Sequence, residues 1–185
     1  GRLTGEVTSA NGWLWTTASA ATRNYGTANT LDQYAAVAGE SMSWDANGNL
    51  SAWGARSFTH DSENRLRSAT VGGVTSAYEY DPSGRRVRRA SEGVVTRFLS
   101  AGAEEIAELD ASGAVLRRFV PGAGTDQPVA YVEGGGVAQR YYYHADRQGS
   151  IIAMANASGA RVERYRYAPY GVEGDLVLTG QAYRY

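Results

Sequence analysis

The chain contains no cysteine. Disulfides, thiol catalysis and cysteine-ligated metals are therefore excluded as features of it. It contains no lysine either, and all eighteen basic residues are arginines. Schiff-base chemistry and lysine isopeptide links go with the lysine. Histidine occurs twice and proline four times in 185 residues. No apolar run is long enough to cross a bilayer as a helix, and no secretory leader is recognisable. The opening Gly1-Arg-Leu-Thr-Gly reads as text from inside a longer protein. Formal charge is −1 and 20% of residues are charged, which leaves no large electrostatic footprint for nucleic acid or an anionic membrane.

What the chain does have is glycine, 23 of them, and tyrosine, 13 of them. That pairing favours twisted strands joined by tight turns. From Ser41 onward one unit recurs. Trp44-Asp45-Ala-Asn-Gly48, His60-Asp61-Ser-Glu-Asn64, Tyr80-Asp81-Pro82-Ser-Gly84 and Leu109-Asp110-Ala-Ser-Gly113 share it. Asp146 to Gly149 and Asn156 to Gly159 are variants. The aspartate accepts backbone N–H groups two and three residues on, which nucleates a turn. Glycine three residues later supplies a positive φ, and Asn64 is the residue next most tolerant of that conformation. Aromatic or large apolar residues two apart (Met42 and Trp44, Phe58 and His60, Tyr78 and Tyr80) share one strand face.

The Asp-to-Asp intervals 45–61, 61–81 and 81–110 are unequal, 16, 20 and 29 residues. A solenoid of fixed coil length would keep one interval, whereas hairpins of differing length side by side in a sheet need not. The fold class expected is all-β, an array of antiparallel hairpins in a curved or spiralling sheet. Residues 1–140 read as the array, less regular over 1–40, and 141–185 as a distinct set of C-terminal repeats, in one continuous structural unit. Glu6 to Thr8 and Gly12 to Thr16 read as short strands, and Ala35 to Val37 as an edge strand. Asn29 to Tyr34 reads as a helical turn or a loop. Residues 119–128 read as a loop, Glu133 to Gly136 as a hairpin connection, and Arg161 to Tyr167 as one strand.

Several constellations carry possible chemistry. His144, Asp146 and Ser150 are the residue types of a hydrolase triad, but no nucleophile elbow or oxyanion hole accompanies them. The aspartate is already accounted for by its turn. His60 with Asp61 reads the same way. Asp45, Asn47 and Asn49 around Gly48 resemble part of a calcium loop without its bidentate glutamate. Glu104, Glu105 and Glu108 read as solvated or salt-bridged carboxylates. Arg85, Arg86, Arg88 and Arg89 divide between two faces, 85 with 89 and 86 with 88, which argues against a one-sided basic patch. Gly134-Gly135-Gly136 lacks the lysine and helix of a phosphate loop. Tyr141 to Tyr143, Tyr165, Tyr167 and Tyr170 form aromatic rows suited to stacking on sugars or a client; cross-strand packing is the simpler reading. No catalytic, cofactor-binding or metal-binding residue is assigned.

The Trp44-Asp-Ala-Asn-Gly-Asn-Leu50 and Tyr80-Asp-Pro-Ser-Gly-Arg-Arg86 segments resemble the YD repeats of bacterial Rhs proteins. These repeats are shared with TcB/TcC toxin subunits, wall-associated repeat proteins and teneurins. Tyr142 to Gly171 resembles the Rhs-associated core, and Thr179-Gly180-Gln181 the step that follows it. The resemblance covers about residues 23–185. It implies a sheet that spirals into a hollow shell enclosing a C-terminal toxin, in a secreted or surface-delivered bacterial protein. It implies no cofactor and no enzyme here, because the family's self-cleavage stretch lies beyond the core. The implied partners are toxin cargo or further YD repeats, with self-association through strand edges, and neither nucleic acid nor stable membrane insertion. The alternative function is a surface adhesion or glycan- or protein-binding module.

Overall fold

A computed structural model describes residues 24–124, 126–167 and 173–174. The expected strands at Glu6 to Thr8 and Gly12 to Thr16 lie outside them, as do Tyr170 and Thr179 to Gln181. The described residues are all β, without a helix. One compact unit comprises Ala21–Leu116, and the described part of a second begins at Arg117.

The first unit holds β1 (Ala36–Val37), β2 (Glu40–Trp44), β3 (Leu50–Trp53), β4 (Arg56–His60), β5 (Leu66–Val71), β6 (Val74–Tyr80), β7 (Arg86–Ser91), β8 (Val94–Ala101) and β9 (Glu104–Leu109). Strand order in space is chain order, and every pair is antiparallel. The second unit holds β10 (Val115–Pro121), whose first two residues precede its boundary, β11 (Pro128–Glu133), β12 (Arg140–Ala145), β13 (Ile151–Asn156) and β14 (Arg161–Arg164), again in chain order. A separate pair, β15 (Arg166–Tyr167) and β16 (Glu173–Gly174), follows. Longer strands account for the step from 16 residues (Asp45 to Asp61) to 20 (Asp61 to Asp81), whereas three strands, β7 to β9, separate Asp81 from Asp110.

Register places the two sheet faces of the first unit in different chemistry. One face carries Trp53, Phe58, Tyr78, Tyr80, Thr96 and Phe98. On the other, Ser43, Ala52, Ser57, Thr70 and Thr75 form one transverse row of small residues. Hydroxyls pair along that face, Thr59 with Ser68 at 2.7 Å and Thr70 with Thr75 at 2.8 Å. In the second unit Phe119, Tyr131, Tyr143, Ile151, Met154 and Tyr165 form a buried cluster, with Tyr141 and Tyr167 packed against it.

Three boundaries differ from the sequence expectation. Phe119 is not in a loop: it pairs with Tyr131 in β10 and is buried, and the connection is only 122–127. Pro121 and Pro128 close the strand pair at a register irregularity, the kind of position at which a sheet tolerates proline. The connection expected at 133–136 runs from 134 to 139, because Glu133 still belongs to β11 and β12 begins only at Arg140. Arg118 clasps this loop through the Gly135 and Gly136 carbonyls. Arg161 to Tyr167 is broken at Tyr165, whose N–H turns to the Ile152 carbonyl at 2.8 Å.

Gly84 has φ +82° and open space where a Cβ would stand. The cost of a side chain there is backbone strain alone. Gly84→Val is expected to destabilise by more than about 1 kcal/mol in a denaturant titration. Asn64 occupies the same conformation with φ 63°, so Asn64→Gly should relax the backbone there but give up the bond that Asn64 Oδ1 accepts from Asn49 Nδ2.

Candidate functional site

The repeated turn is the element with the most specific local chemistry, so the site is built from it. In the turn at Asp81, the Asp81 N–H donates to the Arg85 carbonyl at 2.9 Å and the Gly84 N–H donates back to the Asp81 carbonyl at 2.9 Å. Asp81 Oδ1 accepts the N–H groups of Ser83 and Arg85, both at 2.9 Å. The carboxylate therefore reaches residues two and four on, not two and three as expected. The third N–H is already taken by the aspartate's own carbonyl. Asp45, Asp61, Asp110, Asp146 and Asn156 repeat this arrangement.

One further copy has neither a leading aspartate nor a glycine. Asn29 Oδ1 accepts the N–H of Leu31 at 2.8 Å and of Gln33 at 3.1 Å. Asn29 N–H meets the Gln33 carbonyl, Asp32 N–H meets the Asn29 carbonyl, and Asp32 takes φ 58°. The stretch expected as a helical turn or loop is the same repeat turn. Its signal was available: Asn29-x-x-Asp32 matches Asp61-x-x-Asn64, and the step from 29 to 45 equals the 16-residue step from 45 to 61.

In the turns led by Asp45, Asp61 and Asp81 the residue four beyond the aspartate does a second job. Arg65 Nε donates to Asp61 Oδ2 at 2.8 Å, and its Nη1 crosses to the Asp81 carbonyl at 3.2 Å. Arg85 Nε donates to Asp81 Oδ2 at 2.7 Å, and its Nη1 crosses to the Gly102 carbonyl at 2.7 Å. Asn49 Nδ2 bonds both Asp45 Oδ2 and Asn64 Oδ1. Successive turns along one sheet end are thereby stitched together across 15 to 17 residues of sequence. Turns at Asp110 and Asn156 have alanine at that position, and the hydroxyls of Ser112 and Ser158 bind the Asx oxygen instead.

These bonds hold the aspartates ionised. The Asn49 side chain lowers Asp45 most, and the backbone N–H of Arg65 lowers Asp61. The backbone N–H of Arg85 lowers Asp81, and the Ser112 hydroxyl lowers Asp110.

At the opposite sheet end β5–β6 and β7–β8 are joined by short connections, and the Asp110 turn follows β9 at that same end. Gly72 and Gly73, with φ 60° and 81°, and Glu92 and Gly93, with φ 51° and 79°, are two-residue hairpin turns of the primed type. Gly-Gly and Glu-Gly between alternating runs was a readable signal. Behind the turns, arginines lie over aromatics. Arg65 is 5.1 Å from the Tyr80 ring centre and Arg86 is 4.2 Å from that of Phe98. Tyr80 in turn donates its hydroxyl to the Leu66 carbonyl at 2.9 Å.

The sequence-selected residues fall as follows. Asp146 Oδ1 is engaged by the Gln148 and Ser150 N–H groups, and Ser150 contributes its backbone to the turn. Asp45 Oδ2 faces the donor Asn49 Nδ2, which is the wrong polarity for a cation cage. Among the described residues no group of three His, Asp or Glu side chains is placed to hold a metal. The arginine split differs from expectation. A register shift between Glu79 and Tyr80 puts Arg86 opposite Tyr80 and Arg89 opposite Tyr78, on one face, while Arg88 pairs with Glu79 on the other. The bulge inserts one residue and flips the parity after it. The tyrosines pack together: Tyr131 stacks on Tyr141 at 4.9 Å and tilts against Tyr143 at 5.7 Å.

Among the described residues Glu105 is the one strongly perturbed carboxyl. Burial and then the neighbouring Glu108 push it up to about 7, against a smaller opposing pull from Arg86, 3.9 Å away. A folded-state pKa above the unfolded value means that the folded protein holds the proton more tightly. Its stabilising effect is complete below about pH 4.5 and drains away as pH rises through about 7. Glu105→Gln is expected to gain stability over the unsubstituted chain as pH goes from 5 to 8, by about 1 kcal/mol given partial solvation. Thermal melts at the two pH values check it, and a pH-independent difference would remove the assignment.

Fold and turn chemistry define a β-hairpin repeat array whose consecutive units are tied through their turns. A family model described as teneurin YD-shell matches residues 9–173, and the chain belongs to that family. It is 30% identical over 166 residues to the tRNA3(Ser)-specific nuclease WapA of Bacillus spizizenii and 31% identical to the tRNA nuclease WapA of Bacillus subtilis. Each match covers 85% of this chain and 7% of the relative. Among solved structures, the Photorhabdus luminescens Tc holotoxin pore matches with a TM-score of 0.54 and 18% identity, over 70% of this chain and 7% of that one. That likeness concerns the fold.

Proposed function

We propose that the chain is a stretch of shell wall in an Rhs-type bacterial protein, and that in its parent this wall encloses a C-terminal toxin. The observation that carries the reading is the stitched turn edge. A wall that must confine a cargo needs each hairpin fixed to the next, and Asn49, Arg65 and Arg85 supply those ties. Membership of the YD-shell family and the similarity to WapA nucleases support the same reading. The contribution of this stretch is steric and not catalytic: the turn aspartates are engaged by backbone N–H groups and arginines. Delivery would be to the cell surface or outside.

The test uses the parent protein with its C-terminal domain present. Limited proteolysis of the intact parent should leave that domain uncut under conditions that digest it when expressed alone. The double variant Arg65→Ala, Arg85→Ala should expose it. Equal digestion of the domain inside and outside the parent would defeat the proposal.

A further inference from the structure

The strands of the second unit separate their charges by face. Cross-strand register puts Arg118, Val132 and Arg140 in one transverse row, and Val120, Ala130, Tyr142, Ala155 and Arg161 in the next. His144, Ala153 and Arg164 form a third row on the same face. Strands β10 to β14 hold two carboxylates, and both lie on the opposite, packed face: Glu133 pairs with Arg117 and Glu163 with Met154. Four arginines therefore share a face on which no strand residue is acidic. Among the described residues neither Arg118 nor Arg140 has a carboxylate partner, and Arg118 is held by the Gly135 and Gly136 carbonyls instead. The formal charge of −1 carries no footprint for nucleic acid because it averages over faces that register keeps apart. We propose that this face binds single-stranded nucleic acid.

Tyr142 stands at the centre of the patch and is 37% exposed. Its direct cross-strand neighbours are Ala130 and Ala155, so neither flanking strand places a bulky side chain over the ring. Strands lie about 4.8 Å apart and same-face residues about 7 Å apart along each, which puts the Cα atoms of Arg140 and Arg161 within roughly 10 Å of that of Tyr142. An unpaired base can stack on the tyrosine while the guanidinium forks take the phosphates beside it. The strand must be single, because bases in a duplex stay stacked on each other and out of reach of the ring. An acidic peptide or an anionic membrane would use the arginines and leave the bared ring idle. The face lies in the second unit, whereas the shell proposal rests on Arg65 and Arg85 in the first, so the two fail separately.

The 185-residue chain should be titrated into a fluorescein-labelled single-stranded RNA dodecamer of mixed sequence, following anisotropy. Saturable binding is expected with a Kd of roughly 1–100 μM in about 50 mM salt, weakening as salt is raised. Arg140→Glu should weaken it about tenfold and flatten the salt dependence. Arg97→Glu makes the same charge change at an exposed arginine of the first unit and should alter binding less than about twofold. Tyr142→Ala should weaken binding by about fivefold or more, and Tyr142→Phe, which keeps the ring, should restore it. No saturable binding, equal losses from Arg140→Glu and Arg97→Glu, or full affinity in Tyr142→Ala would overturn the proposal. So would binding of polyglutamate or of phosphatidylglycerol vesicles as tight as that of the RNA.

Discussion

Asp81→Ala is expected to lower the melting temperature by roughly 5–10 °C. The substitution removes the acceptor of two backbone N–H bonds and both contacts to the Arg85 guanidinium. It also frees Arg85, whose Nη1 ties this turn to Gly102. The Ser83 and Arg85 amides should exchange more than tenfold faster in hydrogen-exchange measurements. Asp81→Asn is the informative companion. Asn156 makes the same two backbone bonds in its own turn, to Ser158 and Ala160 at 3.1 and 3.0 Å. Asp81→Asn should therefore recover most of the loss, keeping the turn and giving up only the ionic contact. The pH dependence has a definite sign. Asp81 is lowered in the folded state, so its contribution is complete above the unfolded carboxylate value and is lost as pH falls through the lowered one. The gap between the unsubstituted chain and Asp81→Ala should close in acid. A variant that melts with the unsubstituted chain at pH 7 would show that the turn does not depend on its aspartate.

Local chemistry was legible in the sequence, and long-range chemistry was not. The positive φ at Asn64 could be read because asparagine tolerates that conformation and stands where other repeats have glycine. The all-β class followed from the same grammar and is what the strands show. The Asn29 turn was missed although it obeys the same rule, because Asn29 and Asp32 exchange the usual residue types. The arginine faces were misread for a different reason. Alternation is a property of an unbroken strand, and the bulge beside the Asp81 turn resets it. A bulge is seen only when two strands are paired. The stitching by Arg65 and Arg85 lies a further step out, since each reaches a residue 16 or 17 positions away. Nothing in Gly-Arg or Asn-Arg as dipeptides says where the second guanidinium nitrogen goes.

The interval from Asp81 to Asp110 shows the same limit from another side. It is long because β8 and β9 are joined by the short Gly102-Ala103 connection, which occupies the sheet end where an aspartate turn would be next in series. Arg85 bonds to that connection as Arg65 bonds to the Asp81 turn. The edge of stitched turns therefore continues through a position with no aspartate. The unequal spacing that ruled out a fixed coil marks a change of turn type within one ladder.

Tyr131→Ala should be the most damaging single substitution in the second unit, at about 3–5 kcal/mol for loss of a buried aromatic. Tyr131 is 2% exposed. Its ring stacks on Tyr141 with an interplanar angle of 14°, tilts against Phe119 and Tyr143, and lies 5.4 Å from the Arg117 guanidinium. Four neighbours lose a partner at once, and the opposing Phe119 is itself buried, so the gap cannot be filled by solvent. Tyr131→Phe keeps the ring and should cost less than half as much. Tyr142 gives the contrast, because it lies on the other face of the same sheet and is 37% exposed. Tyr142→Ala should cost less than about 1 kcal/mol. Had the tyrosine rows been a stacking surface for a ligand, both residues would be dispensable for stability. A loss at Tyr131 that far exceeds the loss at Tyr142, measured by denaturant titration, assigns the buried row to packing. Equal losses at the two positions would overturn the assignment of faces.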